Sequence, residues 1–381
     1  MRLIRDGHDG GPSNPAPSTP APGERAGFQP FEVHYPTLHL IRALMAQAVF
    51  TSHWSVPRYG TLMPQTQLLI DVFFSVEGFL AGSLAFSSDG SPGGWAPVIR
   101  RFTAIYPLYL IGLIAGLLAL YPSALQAQDG WSLPLFGAAA VRGLLMLPTF
   151  SQASAGAVYP FNAPSWAIVL ETATFAVFWP LRARLNVKVL ALATFAAMAV
   201  TLGLAIKWHD LNMGWEVSGY WGGFPRTVFG FLSGALLFKI MQSTGPVLPR
   251  LNPLLICLVS VAILFPRVHF IGLFFLLVVV PLLTWTGATS AEPKWLASVG
   301  RQADRHAYAL YLLAFPTVVA WRQIGASLGI SETWLSGPAS FPAMLCAALL
   351  AAHLGTIADE HIRRGFGAAA WQRAGAVAAR G

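Results

Sequence analysis

Five ionisable residues interrupt stretches of the sequence that are otherwise apolar: Arg42, His53, Asp71, Glu77 and Glu171. A histidine held against a carboxylate can take a proton from a hydroxyl group, because the carboxylate fixes the imidazole tautomer and stabilises the imidazolium that forms. Such a pair is suited to acyl transfer to a hydroxyl. Arginine side chains bind anionic ligands through charge-assisted hydrogen bonds. The sequence therefore contains the components of a site that moves protons and binds anions.

Each of these residues also has a structural explanation. His53 is flanked by Thr51, Ser52 and Trp54, which is typical of the end of a membrane span, and Asp71 can be interfacial in the same way. Arg42 can extend its side chain to the lipid headgroups. A buried glutamate can be protonated or hydrogen-bonded to neighbouring helices. At the level of the sequence both explanations stay open.

The composition identifies the elements that must position these residues. Of the 381 residues, 55% are hydrophobic and only 10% are charged, against roughly 25% charged in soluble domains. A helix needs roughly 20 apolar residues to cross a bilayer. We therefore predict an all-α polytopic membrane protein, with about ten transmembrane helices in one bundle. The apolar stretches lie near 37–56, 68–86, 102–121, 166–181, 187–206, 222–241, 251–265, 268–286, 307–324 and 340–358.

The remaining segments suggest three regions. Residues 1–36 are rich in Pro, Ser and Gly and are predicted to be a disordered tail, 37–364 to form the transmembrane domain, and 365–381 a short C-terminal tail. A shorter apolar piece at 135–147 contains Arg142 and is expected to be interfacial or re-entrant. Neither the two cysteines nor the nine histidines have a spacing typical of a metal site. We expect no bound metal.

The distribution of Lys and Arg predicts the orientation of the chain. Most of these 24 residues fall at the two ends and in alternate loops, which places both termini in the cytoplasm. Arg226 and Arg322 are counted with the opposite, outer loops. The net charge of +8 then reflects topology, and no nucleic-acid partner is expected.

The depth of each ionisable residue within its predicted span shows which of them lie at the same level in the membrane. Eleven residues separate Arg42 from His53, or roughly 16 Å along a helix. Counting from the outer ends of their spans, Asp71 is roughly 5 Å deep, Glu171 roughly 8 Å and Glu77 roughly 14 Å. We therefore predict an outer cluster of His53, Asp71 and Glu171, with Glu77 and Arg42 further in.

Several segments in order resemble one family. LHLIRALMAQAVFTSHW at 38–54 looks like the first helix of the acyltransferase 3 family, which has an Arg and a His separated by ten residues. IDVFFSVEGFLAG at 70–82, RRFTAIYPLYL at 100–110, PSWAIVLETATFAVFWP at 164–180 and HAYALYLLAFP at 306–316 resemble its later helices. The resemblance covers the chain from about 36 to 364.

This resemblance implies a membrane O-acyltransferase of the bacterial inner membrane. It would move an acyl group, usually acetyl, from cytoplasmic acyl-coenzyme A to a hydroxyl of a sugar, polysaccharide or lipid-linked glycan. His53 would be the base and Glu171 would orient it or the acceptor. Polysaccharide-assembly proteins would be natural partners, and acyl-coenzyme A is a substrate rather than a resident cofactor. The remaining implied roles are phosphate binding by Arg42, Arg100 and Arg101, and acceptor or channel lining by Asp71, Glu77, Ser165 and Trp166, with Trp166 stacking on a sugar.

The sequence departs from the family pattern at several functional positions. The second of two arginines spaced three apart is Ala104, and Arg100 lies about 100° around the helix from Arg101, so it is not an equivalent replacement. A usual histidine is Ala314. The other departures are His39 for Asp, Glu77 for Ser and Thr172 after Glu171. These differences put the identity of the substrate in question.

Two other classes of function remain. Carboxylates and an arginine within a bundle also serve proton-coupled transport, although the ionisable residues here concentrate in the first, second and fourth stretches rather than in related halves. An inactive relative acting as a glycan-assembly subunit is the third interpretation, because of Ala104 and Ala314.

Overall fold

The computed structural model describes residues 35–59, 68–86, 94–128, 130–246, 249–262, 271–290 and 294–365. Nearly all of the two predicted tails lies outside these residues. Helices make up the described part, which contains no strand. They are α1 Pro36–Tyr59, α2 Leu69–Phe86, α3 Ala96–Leu125, α4 Leu133–Leu144, α5 Ser165–Leu181, α6 Val187–Trp208, α7 Tyr220–Thr244, α8 Pro253–Ala262, α9 Ile271–Phe274, α10 Val280–Thr289, α11 Lys294–Ser327, α12 Glu332–Leu335 and α13 Phe341–Gly365.

Six of the described helical segments are long and apolar enough to cross a membrane, so the chain is an integral membrane protein. They are Leu69–Phe86, Ala96–Leu125, Val187–Trp208, Tyr220–Thr244, Gly272–Thr289 and Pro338–Arg364. The other four predicted spans coincide with α1, α5, α8 and α11, which are also helical. The count of about ten spans and the cytoplasmic placement of both termini stay predictions.

The short apolar piece predicted near 135–147 is the 12-residue helix α4. The side chain of Ser132 caps its N-terminus by accepting from the Leu135 amide. Two tyrosines of α3 hold its other end, because the Tyr106 and Tyr109 hydroxyls donate to the carbonyls of Leu144 and Gly143, each over 2.7 Å. At roughly 18 Å, α4 is shorter than the hydrocarbon core of a bilayer, so it cannot cross alone.

Helices α2 and α7 pack backbone against backbone. A Cβ atom at Gly78 would overlap the carbonyl oxygen of Phe231, and one at Gly234 would overlap the carbonyl oxygen of Ser75. Each of these glycines belongs to a Gly-x-x-x-Gly pair in the sequence, the pattern that lets membrane helices approach closely. The small residues therefore determine this contact.

Helices α1 and α11 run side by side in the same direction. Arg42 of α1 and Tyr308 of α11 line the same cavity, while further along both chains the rings of His53 and Phe315 meet with centroids 5.6 Å apart. The number of each contact residue rises along both helices, so the pair is parallel. This interface connects the two ends of the predicted site.

Candidate functional site

A buried network of ion pairs joins four helices. Glu77 of α2 forms an ion pair with Arg42 of α1 at 2.9 Å and accepts a hydrogen bond from Arg101 of α3 over 2.8 Å. Arg101 also pairs with Glu171 of α5 over 2.6 Å, and its guanidinium lies 4.9 Å from the ring centroid of Phe175. The four charged side chains are 0–11% exposed. We call Arg42, Glu77, Arg101 and Glu171 the charge cluster.

The charge cluster corrects the predicted grouping by depth. Glu171 was expected at the outer level with His53, but it shares Arg101 with Glu77. The two carboxylates differ by only two residues, about 3 Å, when each is counted from the start of its own helix. A long arginine side chain spans that difference. Four of the predicted residues therefore do meet, but in a different combination.

Asp71 has a partner that the sequence analysis missed. Its two carboxylate oxygens accept from Nε and a terminal nitrogen of Arg226, both over 2.8 Å, and the two residues are 0% and 1% exposed. Arg226 also donates to the carbonyls of Leu211 and Met213. Counting Arg226 with an outer loop was wrong, because it lies within α7. Its position inside the predicted 222–241 span was the signal that could have revealed it.

His53 lies at the other end of α1 from Arg42, away from the charge cluster. Its backbone carbonyl and that of Trp54 accept from Arg322 of α11 over 3.3 and 3.1 Å. Among the described residues neither Glu171 nor Asp71 hydrogen-bonds the His53 ring, since each is engaged by an arginine. The predicted pairing of His53 with a carboxylate is therefore not present. Arg322, counted with an outer loop, is instead a half-buried residue of α11.

A narrow cavity begins at Arg42 of the charge cluster and borders α1 as far as Val49. Its volume is about 10 Å³, the order needed to hold one water molecule. Arg42 and His53 share the face of α1 that borders it, because eleven residues turn a helix by about 1,100°, only about 20° past three full turns. We call this region the seam. Its lining residues are Arg42, Met45, Ala46, Val49, Leu69, Ile70, Phe73, Ala307, Tyr308 and Tyr311.

Two buried polar atoms beside the seam have no hydrogen-bond partner among the described residues: the hydroxyl of Tyr308 and Oε2 of Glu171. Tyr308 lines the seam together with Arg42 of the charge cluster. Native proteins rarely leave buried polar groups unsatisfied, and such exceptions often mark functional sites or waters. Tyr308 is therefore part of the site, although tyrosine in an apolar segment carries no distinguishing signal in the sequence.

Ser165 and Trp166 lie apart from the charge cluster, at the start of α5. The Ser165 hydroxyl borders a second cavity of about 10 Å³ and is buried without a partner in the described part, as is Oδ1 of Asn162. Trp166 is 7% exposed and its ring packs edge-on against Phe74, with centroids 6.1 Å apart. This buried position leaves the indole ring no surface for a sugar, contrary to the stacking role expected of Trp166.

The remaining predicted positions lie near the charge cluster or in the core. Arg100 is exposed, unlike its neighbour Arg101. Arg363 of α13 reaches the backbone of α3 and donates to the carbonyl of Ala104, so a guanidinium lies beside position 104. Ala314 is fully buried. In the described ranges, no group of three or more His, Cys, Asp and Glu side chains could hold a metal ion.

Comparison with known proteins identifies no relative: no family model, no curated protein and no solved structure matches this chain.

Proposed function

We propose that the protein is a membrane O-acyltransferase that uses acyl-coenzyme A as donor and a sugar hydroxyl as acceptor. The observation that carries the proposal is that Arg42 and His53 lie on a single face of α1, and that the seam borders this face from Arg42 to Val49, one turn before His53. Apart from Arg42 and two tyrosines, the residues that line the seam are apolar. Such a lining is chemically compatible with a thioester arm, because its acyl group is uncharged.

The chemistry assigns one proton transfer to His53. The acceptor oxygen attacks the thioester carbonyl while His53 takes the hydroxyl proton, a new C–O bond forms and the C–S bond breaks. The proton on His53 then passes to the departing thiolate, which leaves as the free thiol of coenzyme A. Phe315 supports the imidazole through its edge-to-face contact. The base acts without a carboxylate partner.

Phosphates of the donor would bind near the Arg42 end of the seam. Arg100 is exposed and can pair with a phosphate directly. Arg42 borders the cavity as well as Glu77, so it can contact both a ligand and the charge cluster. Arg101 already donates to two carboxylates, and binding a phosphate there would require one of these contacts to break. We therefore assign Arg101 mainly to holding α2, α3 and α5 together.

Acyl transfer requires the seam to widen. A cavity of about 10 Å³ admits a water but not a thioester. The side chains that fill the seam, including Met45 and Phe73, must therefore change rotamer or α1 must move away from α11. The unsatisfied atoms of Tyr308 and Glu171 lie beside this opening and are available to a ligand.

The direct test is transfer of radiolabelled acetyl from acetyl-coenzyme A to extracted cell-envelope glycans. Membranes with the wild-type protein, His53→Ala and His361→Ala are compared at matched expression, because His361 is an exposed histidine of α13 outside the site. We expect labelling with the wild type and His361→Ala and none with His53→Ala. Full activity of His53→Ala would contradict the assignment of His53 as the catalytic base. No labelling with acetyl, succinyl or longer donors by folded wild type would favour an inactive relative or a transporter.

A proton-coupled transporter is the second candidate function. It is favoured by the free oxygen of Glu171 beside Tyr308, since a buried carboxylate next to a hydroxyl and a water-sized cavity can carry a proton. The assay is proton uptake into proteoliposomes loaded with a pH-sensitive dye. Glu171-dependent uptake without acyl transfer would favour the transporter.

A further inference from the structure

Two tryptophans form a surface near the end of the bundle that holds His53. The rings of Trp321 on α11 and Trp334 on α12 are nearly parallel, with centroids 6.4 Å apart and an interplanar angle of 23°. Trp334 is 42% exposed. The apolar C–H face of a pyranose ring packs on such an indole surface, while its hydroxyls need polar partners at the rim.

Polar partners of this kind lie beside the two rings. Nε of Arg322 is 3.6 Å from Oε1 of Glu332, and the side chains are 28% and 55% exposed. A guanidinium donates hydrogen bonds and a carboxylate accepts them, so together they satisfy both functions of a sugar hydroxyl. The surface therefore combines an apolar platform with a donor and an acceptor.

The surface is also tied to the proposed catalytic histidine. Arg322 donates to the backbone carbonyls of His53 and Trp54. The indole N–H groups of Trp54 and Trp321 both donate to the carbonyl of Leu335 over 3.3 Å. These contacts hold α12 against α1 and α11, so the platform is positioned beside the end of α1 that contains His53. A preorganised surface binds with a smaller loss of conformational freedom.

We propose that Trp321, Arg322, Glu332 and Trp334 form a binding site for a pyranose ring of the acceptor glycan. The inference rests on the proposed acyltransferase function, because it assigns the acceptor side of that reaction. A glycan seated on the indole surface and held by Arg322 has a hydroxyl directed toward His53, and the next sugars of the chain extend outward along Trp334.

A lipid headgroup is the competing occupant, since tryptophan is common at membrane interfaces. The chain offers a matched control for that explanation. Trp221, at the start of α7, is 67% exposed and stacks on Phe224, but the described contacts place no Arg–Glu pair beside it. If both tryptophans are interfacial anchors, replacing either one should have the same effect on glycan binding. If Trp334 belongs to a sugar site, only its replacement should weaken glycan binding.

Binding is measured by ligand-observed saturation-transfer NMR on the full-length protein in nanodiscs, with maltohexaose, cellohexaose and chitohexaose as probes. We expect the wild type and Trp221→Ala to bind at least one probe equally. Trp334→Ala should raise its Kd about two- to tenfold, the scale of one aromatic stacking contact. Glu332→Gln keeps an exposed polar side chain and should weaken binding severalfold. Absence of binding by the wild type, or equal binding by Trp334→Ala, would overturn the proposal.

Transfer kinetics separate this inference from the proposed function. With the best probe as acceptor, Trp334→Ala should raise KM for the glycan and leave KM for acetyl-coenzyme A unchanged. If the wild type transfers acetyl but Trp334→Ala and Glu332→Gln have the wild-type KM for the glycan, the proposed glycan site is wrong and the acyltransferase proposal is unaffected. If the wild type binds glycans through Trp334 but transfers no acyl group, the site stands and the acyltransferase fails.

Discussion

The α2–α7 interface and the α1–α11 interface both bury polar side chains, but they differ in whether those side chains have hydrogen-bond partners. Between α2 and α7, Asp71 and Arg226 form two hydrogen bonds of 2.8 Å and glycines bring the backbones into contact. Between α1 and α11 there is a cavity, and the Tyr308 hydroxyl beside it has no hydrogen-bond partner in the described part of the chain. The first interface pairs its buried polar groups, and the second leaves room for about one water molecule.

This difference indicates that some helices of the bundle form a fixed scaffold and that others can move to admit a ligand. Close backbone packing and a bidentate ion pair allow only one arrangement, because any shift breaks several short-range contacts at once. A seam filled by flexible Met and aromatic side chains can open at a smaller cost. We infer that α2 and α7 form a fixed scaffold and that α1 and α11 move relative to it.

The largest expected effect is the loss of Arg226. Arg226→Ala leaves the Asp71 carboxylate buried without its cation, which should destabilise the protein by about 3–5 kcal/mol. Unfolding in mixed detergent micelles measures the change. Replacing both residues with apolar ones of similar size, Asp71→Leu with Arg226→Met, should restore much of the stability because no unpaired charge remains. Equal destabilisation by the single and double variants would contradict the ion-pair explanation.

A smaller loss is expected when the glycine contact is filled. Gly78→Ala places a Cβ atom on the Phe231 carbonyl, and the resulting backbone shift should cost about 1–3 kcal/mol in the same unfolding assay.

The control for this change is a glycine of α6 with open space around its Cβ position. Gly203→Ala meets no atom within 4 Å and should stabilise the helix by about 0.5–1 kcal/mol. If both variants changed stability alike, the requirement for a glycine where α2 packs on α7 would be contradicted.

Two tyrosines of α11 should respond differently to loss of their hydroxyls. The Tyr311 hydroxyl donates to the Pro164 carbonyl over 3.0 Å, so Tyr311→Phe should cost about 1 kcal/mol. The Tyr308 hydroxyl has no partner among the described residues, so Tyr308→Phe should leave thermal stability almost unchanged. If the seam is functional, Tyr308→Phe instead lowers transfer activity. A large loss of stability in Tyr308→Phe would mean that its hydroxyl is bonded within the fold.

The smallest structural change is a cysteine probe in each interface. Val49 borders the seam, while Val76 of α2 is fully buried. With Cys257 and Cys346 replaced by alanine, Val49→Cys should react faster with a small methanethiosulfonate than Val76→Cys, because only the seam opens. Addition of acetyl-coenzyme A should slow labelling at position 49. Equal labelling rates at the two positions would remove the distinction between a fixed and a mobile interface.

Much of the helical architecture could be predicted from composition and apolar periodicity. Within the described residues each of the ten predicted stretches coincides with helix for most of its length, and the short piece near 135–147 is α4. The Gly-x-x-x-Gly spacing also indicated close packing, which Gly78 and Gly234 confirm. Boundaries were less accurate, since α3 begins at Ala96 and α11 at Lys294, well before the apolar runs near 102 and 307. Polar residues extend a helix beyond its apolar core without any signal in hydropathy.

The site was predicted in its residue types but not in its pairings. Arg42, Glu77 and Glu171 were singled out from the sequence and form buried ion pairs, while the roles assigned to them stay predictions, whereas Arg226 and Arg322 were assigned to loops. Depth along a helix is a single coordinate, and it does not say which side chains face each other. Long arginine side chains also reach across levels, as Arg101 does between Glu77 and Glu171.

The sequence by itself determined that this chain is a helical membrane protein with a few ionisable residues within its apolar stretches, because the bilayer requires long apolar helices and penalises each buried charge. Only the tertiary structure decided that Asp71 pairs with Arg226, that Glu171 joins Arg101, and that His53 is left beside Arg322. These choices depend on which helix faces meet, and that is a property of packing among distant segments rather than of any local sequence pattern.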